Sequence, residues 1–303
     1  VALRPSFPNK EIERERELVL SRIRRRRDIQ FGYTYAEFLR ELYTNHPYGH
    51  LPDGEEIPLR TISRDQILAY HNQRLRPERM VLSVCGDVEP DALAEKVERA
   101  FGRMPAAQPM TKFIVSREIK PRFAMKILKK ECKQAFVVTG FPAIPIAHPD
   151  YPALRLAHAM LGEGMSARLF RRLRDEQSLA YDVGSRVEAK RMAGHLALWI
   201  GTSPENAEDA RLQLLSEARY LTTEASDEEF ERARNYVLGK MLIGRQSNFA
   251  KSHSVGAHEA MGVGFMYEDA LIQAIKQVTK AEALATLEKY LTSPISVTLL
   301  PEN

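Results

Sequence analysis

The chain has 303 residues, 44% of them hydrophobic, and a formal net charge of +4 at pH 7. This length predicts two domains that each bury a core, and no apolar run approaches the roughly 18 residues of a membrane span. The positive charge is concentrated in residues 24–27 and 168–174, and the first cluster follows an acidic helix face without interleaved aromatic residues, which favours solvated helix ends over a nucleic-acid interface.

The first residues, V-A-L-R-P-S-F-P-N-K, contain neither an initiator methionine nor the apolar core of a signal peptide. We therefore expect a fragment or a processed product. The compartment stays open, and the bacterial periplasm and the cytoplasm are both compatible with the sequence. Cys85 and Cys132 each stand in an apolar, strand-like run, which favours reduced or buried thiols over a disulfide framework.

Helices dominate the predicted elements of the first hundred residues. Asn9 is a candidate N-cap for a long charged helix, whose buried side we expect to carry Ile12, Leu18, Val19 and Ile23. Residues 33–43 predict a second amphipathic helix, and the proline and glycine cluster at 45–54 predicts a loop.

The chain then predicts one more helix, a strand, another helix and a linker. Ser63 is the expected cap of the helix, and residues 80–88, M-V-L-S-V-C-G-D-V, read as an apolar strand. A helix follows over 91–101. The segment 106–120, which follows Pro105 and contains Pro109, predicts a linker between domains.

The second half alternates strands and helices, a pattern typical of the α+β class. Strands are expected within 124–142, then a helix over 152–161, and a strand pair within 186–202. Ser203 and Ser226 are the expected caps of two further helices, Ser226 as part of a capping box. The last strand is expected at I-S-V-T-L-L, residues 295–300.

The most informative stretch is 161–184, which contains G-M-S-A-R-L-F-R-R-L-R-D-E-Q-S-L-A-Y. Ser166 can cap a helix whose apolar residues recur at helical spacing and which ends near Arg174. The alternation after residue 179 predicts a strand that Tyr181 opens. Two interpretations are open: Arg174 pairs with a neighbouring carboxylate while Tyr181 packs, or both tips donate hydrogen bonds to a carbonyl or carboxylate group.

This stretch resembles a segment in the C-terminal domain of the pitrilysin-type (M16, inverted zinc-motif) metallopeptidases. The resemblance extends over nearly the whole chain. It implies an α+β fold with two M16-type domains, each an antiparallel sheet covered by helices. Residues 1–105 would be the back half of an incomplete N-terminal domain, 106–120 the linker, and 121–303 a complete C-terminal domain.

The resemblance also implies roles for individual residues. An Arg and a Tyr spaced as Arg174 and Tyr181 hold the substrate backbone across the cleft from the zinc in this family. The third zinc ligand of catalytic members is a Glu seven residues after the Glu that matches Glu15, and here that position is Arg22. A guanidinium cannot ligate zinc, so we expect no metal on this chain.

The rest of the family's zinc site is missing as well. H-x-x-E-H, which supplies two ligands and the general base, does not occur in the 303 residues, and it would lie upstream of Val1. The pairs His46/His50 and His253/His258 do not share a regular helix face in a zinc-binding motif. We therefore expect them to be structural or surface features.

The resemblance therefore implies a non-catalytic, substrate-binding subunit of a two-subunit M16 zinc peptidase. Its partner, in a heterodimer or alternatively a homodimer, would carry the zinc, and its substrate would be a peptide or a small unfolded protein. The first alternative is a scaffold or assembly protein of the same fold that has lost peptidase activity. The second is a longer product with an intact H-x-x-E-H upstream, although Arg22 argues against it.

Overall fold

The computed structural model describes residues 3–105, 119 and 122–302. The chain divides into two compact units whose segments alternate along it. Unit 1 comprises Val1–Arg25, Leu51–Ile114 and Arg245–Phe265, and unit 2 comprises Arg26–His50, Val115–Gly244 and Met266–Asn303. The predicted linker, 106–120, lies outside the described residues except for residue 119. The domain limits implied by the family resemblance stay a prediction.

The described part of the chain is rich in helices and has one sheet. The helices are α1 Asn9–Asp28, α2 Gln30–Leu42, α3 Glu56–Thr61, α4 Arg64–Arg74, α5 Pro90–Phe101, α6 Tyr151–Gly162, α7 Ala207–Glu224, α8 Asp227–Ile243, α9 Asn248–Met261, α10 Tyr267–Gln277 and α11 Lys280–Tyr290. The strands are β1 Ala124–Lys130, β2 Ala135–Ala143, β3 Asp182–Ala189, β4 Gly194–Thr202 and β5 Ile295–Pro301. Within the described ranges, no helix is both long and apolar enough to cross a membrane.

The caps predicted at Ser63 and Ser226 are confirmed, and the cap predicted at Ser203 is wrong. Ser63 and Ser226 each accept the backbone N–H three residues on, and the Gln or Glu at that position accepts the N–H of the serine. Both are capping boxes. Ser203 precedes a short 3-10 turn, Pro204–Asn206, and α7 begins only at Ala207.

Unit 1 contains the predicted strand that does not form. Residues 80–88 are not a strand and have no strand partner in the described part of this unit. Their apolar side chains at 81, 82, 84 and 88 are 44–58% exposed. The composition favours a strand, but a strand also needs a neighbour for its backbone N–H and C=O groups. Leu18 of α1, predicted as buried, is 46% exposed, whereas Leu20 and Ile23 are buried.

Unit 2 contains a five-stranded sheet in the order β1-β5-β2-β4-β3. The pairs β5–β2, β2–β4 and β4–β3 are antiparallel, and β1 pairs with β5 in parallel. The antiparallel sheet expected here is therefore confirmed apart from its outermost pair. A parallel pair needs a crossover, and here the helices α6, α7, α8, α10 and α11 of the unit lie between the two strands in sequence.

Both faces of the central strands are covered, which explains their continuous apolar sequences. Val137, Leu198 and Ile200 belong to the main core with residues of α6, α7, α8 and α11. The alternate residues of β2 and β4 point the other way, where Phe31 of α2 contacts Phe136 and Trp199. A strand buried on both faces loses the polar-apolar alternation of a half-exposed strand.

A buried histidine joins α2 to the sheet. His195 of β4 is fully buried, with its Nε2 2.7 Å from the Tyr35 hydroxyl and its Nδ1 2.9 Å from the Tyr43 hydroxyl. Burial lowers the pKa of His195 from its ordinary 6.5 to about 4, although the nearby Glu188 opposes this shift. The imidazole is therefore neutral at pH 7, with one tyrosine donating to it and the other accepting from it.

Candidate functional site

The helix that carries Arg174 is a π-helix, Phe170–Glu176. The N–H of Gln177 donates to the carbonyl of Arg172 at 3.1 Å, which closes a wider turn than that of an α-helix. The predicted Ser166-capped α-helix is therefore wrong in detail. Ser166 lies in a turn, and only residues 168 and 169 before the π-helix are α-helical.

Arg174 is exposed and has no carboxylate partner among the residues that the structure describes. Its guanidinium carbon lies 4.8 Å from the centroid of the Phe170 ring, one π-turn earlier. The ring face supports the cation without occupying its N–H donors. The donors of Arg174 are therefore available to a ligand.

Tyr181 follows a short, tightly bonded loop. The Leu173 carbonyl accepts the N–H groups of Leu179 and Ala180 at 2.9 and 3.2 Å, and Ser178 has a φ of 52°. The Tyr181 N–H then donates to the Gly201 carbonyl at 2.8 Å, directly before β3 begins at Asp182. The Tyr181 side chain is 60% exposed, and the described contacts include none to its hydroxyl.

The structure disagrees with the interpretation in which Arg174 forms a local ion pair and Tyr181 packs. Glu176 instead pairs with Arg172, whose Nη1 lies 2.8 Å from its Oε2. Arg174 and Tyr181 thus keep exposed polar ends on either side of one loop. Their role in binding substrate stays a prediction.

Arg168 is buried, although we expected from the sequence that the whole 168–174 cluster would be solvated. Arg168 is only 5% exposed, and its Nη2 lies 3.2 Å from an oxygen of Glu229. Glu217 and Glu224 lie within 4.0 and 3.6 Å of its Nη1, and burial raises the pKa of Glu217. These carboxylates come roughly 50–60 positions later in the chain, so no local signal could have identified the cluster.

The glycine turn before the π-helix is held by a second, partly buried ion-pair cluster. Glu163 pairs with Arg155 of α6, and Lys240 of α8 donates to its Oε1 at 2.6 Å. Burial alone would raise the pKa of Glu163, but the two cations outweigh it and lower the pKa to about 2. The neighbouring Gly164 has a φ of 91°, which a residue with a Cβ rarely adopts.

The residues at the expected zinc position are arranged for an ion pair. Arg22 of α1 places its Nε 3.4 Å from an Asp53 oxygen, both in unit 1. In the part of the chain that the structure describes, no group of three or more His, Cys, Asp or Glu residues could hold a metal ion. His46 has a structural role, because its Nδ1 accepts the N–H of Tyr48 at 3.1 Å and so caps a 3-10 turn.

We expect the purified chain to contain far less than one zinc ion per molecule after dialysis, because the family resemblance predicts that Arg22 stands at a ligand position, and Arg22 already pairs with Asp53. Elemental emission analysis of the protein measures this directly. One tightly held zinc per chain, removed by a chelator, would contradict the prediction. Replacing Arg22 by Glu is a useful control, since one added carboxylate without two histidines should still not retain zinc.

Comparisons with known proteins agree with the resemblance. A family profile described as "Peptidase M16 inactive domain" matches residues 61–237. An "Uncharacterized zinc protease" of Rickettsia bellii is 22% identical over 300 residues, which are 98% of this chain and 72% of that protein.

Two solved structures share the fold. The "peptidase M16 inactive domain" from Pseudomonas fluorescens superposes with a TM-score of 0.83 and 20% identity, over 99% of this chain and 73% of that one. A protease from Helicobacter pylori superposes with a TM-score of 0.89 and 18% identity, over 98% of this chain and 73% of that one. The α+β class and the M16 resemblance are confirmed. Because the family profile covers more than half of the sequence, this chain belongs to the Peptidase M16 inactive-domain family.

Proposed function

We propose that this chain is the substrate-binding, non-catalytic subunit of a two-subunit zinc peptidase. Arg174 and Tyr181 would hold an extended peptide, and a separate M16 subunit with H-x-x-E-H would supply the zinc and the general base. The partner would form a heterodimer with this chain. A homodimer is the alternative assembly.

This proposal rests on one observation: the side chains of Arg174 and Tyr181 are exposed and their polar groups have no hydrogen-bond partner in the described part of the chain. Arg174 is exposed and supported by the Phe170 ring, and Tyr181 is 60% exposed seven residues later. Neither has a hydrogen-bond partner for its polar end in the described residues. A solvated arginine on a helix commonly pairs with a neighbouring carboxylate, as Arg172 does with Glu176. Two donors left unpaired beside one loop suit a ligand that brings its own acceptors.

A peptide backbone provides such acceptors. In an extended peptide the carbonyl oxygens recur at regular spacing, so a guanidinium and a phenol can each donate to one of them. Arg174 would orient the substrate through charge-assisted hydrogen bonds. Tyr181 would donate to the oxygen that becomes negative as water attacks the scissile carbonyl. These roles are positioning and charge stabilisation, and the nucleophile comes from the partner.

Arg22 supports a division of labour between two chains. A guanidinium at the third ligand position, paired with Asp53, is incompatible with a zinc site built around it. The name of the Rickettsia relative, "zinc protease", suggests that proteolysis occurs among proteins of this kind.

The proposal is tested by reconstitution. We expect this chain and an M16 subunit with H-x-x-E-H, encoded by a neighbouring gene, to cleave a quenched-fluorescent peptide together and not separately. Arg174→Ala should raise the KM of the mixture by roughly 10- to 100-fold, because a charged hydrogen bond contributes about 1.5–3 kcal/mol. Initial rates over a range of peptide concentrations give this value.

Arg171→Ala is the matched control, since Arg171 is also an exposed arginine of the π-helix. It removes the same charge, so a loss caused only by net charge would appear in both variants. The scaffold alternative makes a different prediction: Arg174→Ala would leave the activity of an intact complex within about twofold of wild type. That result would remove the substrate-binding proposal.

A further inference from the structure

The loop between Arg174 and Tyr181 is held by a buried side chain that lies outside the recognised motif. Thr202, the last residue of β4, is fully buried, and its hydroxyl donates to the Leu179 carbonyl at 2.7 Å. The backbone around it is also fixed, because Leu173 accepts two N–H groups of the loop and Gly201 accepts the N–H of Tyr181. Thr202 therefore adds a side-chain hydrogen bond to the backbone hydrogen bonds that fix this loop.

The loop has a reason to need such a restraint. Ser178 has a φ of 52°, a left-handed conformation that costs a residue with a Cβ roughly 1 kcal/mol or more. Leu179 is only half-buried, so the packing of its side chain does not by itself fix the conformation of the loop. Without the Thr202 hydroxyl, the Leu179 carbonyl loses a donor and the loop can relax towards less strained backbone angles.

We propose that Thr202 is a positioning residue for the peptide site, setting the separation of the Arg174 guanidinium and the Tyr181 hydroxyl through the Leu179 carbonyl. This inference rests on the function proposed above. Thr202 itself is fully buried and would not touch the substrate. Its effect comes from geometry, since a displacement of about 1 Å between two binding groups can cost roughly 100-fold in rate.

The test replaces Thr202 by valine, which keeps the shape and removes the hydroxyl, and by serine, which keeps the hydroxyl. In the reconstituted complex, Thr202→Val should lower kcat/KM for the quenched-fluorescent peptide by about 5- to 30-fold, the value of one hydrogen bond of about 1–2 kcal/mol. Thr202→Ser, which keeps the hydroxyl, should have a kcat/KM within about threefold of wild type. Amide hydrogen exchange at residues 179–181 should become about 10-fold faster in the valine variant.

Thr139→Val is the matched control. Thr139 of β2 is also fully buried in the sheet, and its hydroxyl lies 2.7 Å from that of Ser296. Its replacement should lower stability to a similar extent and leave both kcat/KM and exchange at residues 179–181 close to wild type. A second check is the double variant that combines Thr202→Val with Tyr181→Phe. If Thr202 acts by positioning Tyr181, Thr202→Val should lower kcat/KM much less in a chain that already carries Tyr181→Phe than in the wild-type chain.

The outcomes separate this inference from the proposed function. If Thr202→Val lowers kcat/KM no more than Thr139→Val does, while Arg174→Ala and Tyr181→Phe remain defective, Thr202 is not a positioning residue and the proposed function stands. Failure of the serine variant to restore activity would also overturn the inference. If Arg174→Ala and Tyr181→Phe both keep full activity, the proposed function is wrong and the inference falls with it.

Discussion

Tyr181→Phe is expected to lower kcat of the reconstituted peptidase by about 10- to 1000-fold, the range for deleting one preorganised donor to a developing oxyanion. The substitution removes only the phenolic O–H, which has no partner in the described part of the protein. Because the side chain is 60% exposed, the fold and the association of subunits should be unaffected. Single-turnover rates at saturating peptide would measure the chemical step.

Tyr220→Phe provides the comparison, because Tyr220 of α7 is 50% exposed and lies on a helix of the same unit. Its variant should retain activity within about twofold. If Tyr181→Phe behaves in the same way in a complex shown to be intact by gel filtration, Tyr181 does not stabilise the transition state. An effect confined to KM would assign Tyr181 to ground-state binding of the peptide instead.

Acid is expected to destabilise unit 2 between about pH 6.5 and pH 4. Burial lowers the pKa values of His158 and His195 from the ordinary 6.5 to about 4. Between these values the unfolded chain binds a proton on each histidine and the folded chain does not, so stability is fully present above pH 6.5 and falls as the pH is lowered. Each histidine can contribute on the order of 3 kcal/mol. Urea unfolding at a series of pH values measures the loss.

Variants at the two histidines identify the source of this dependence. His195→Gln should lower the free energy of unfolding at pH 7, because it disturbs the hydrogen bonds to Tyr35 and Tyr43. It should also reduce the loss of unfolding free energy between pH 6.5 and pH 4 by about half. His158→Gln should remove a similar share. Below pH 4 the protonation of Glu163, whose pKa is lowered to about 2, should add a further loss. An unfolding free energy that is the same at pH 7 and pH 4.5 would contradict the argument.

Local sequence was sufficient to predict much of unit 2. The capping box at Ser226 depends on residues three apart, and strands were predicted in the apolar segments that form β2 and β4. The resemblance of residues 161–184 to the M16 segment, which includes the seven-residue separation of Arg174 and Tyr181, predicts a candidate site. Such features are readable because each depends on neighbours within one or two turns of chain.

Features that depend on distant residues or on hydrogen-bond register needed the tertiary structure. The apolar spacing of 168–174 is compatible with both an α-helix and a π-helix, so only the backbone bonds distinguish them. Residues 80–88 have a strand composition, yet they form no strand in the described part of unit 1, because strand formation requires a pairing partner as well as propensity.

The sequence by itself determined the α+β class and the M16 resemblance, because both depend on residue type and order along the chain, and the resemblance predicts that Arg22 stands at a zinc-ligand position. The tertiary structure alone decided that Arg168 is buried among glutamates, that His195 lies between two tyrosines about 150–160 positions away, and that Thr202 holds the loop before Tyr181. The physical reason is that burial, ion pairing and pKa depend on which distant side chains share a low-dielectric space, and only the folded chain defines that space.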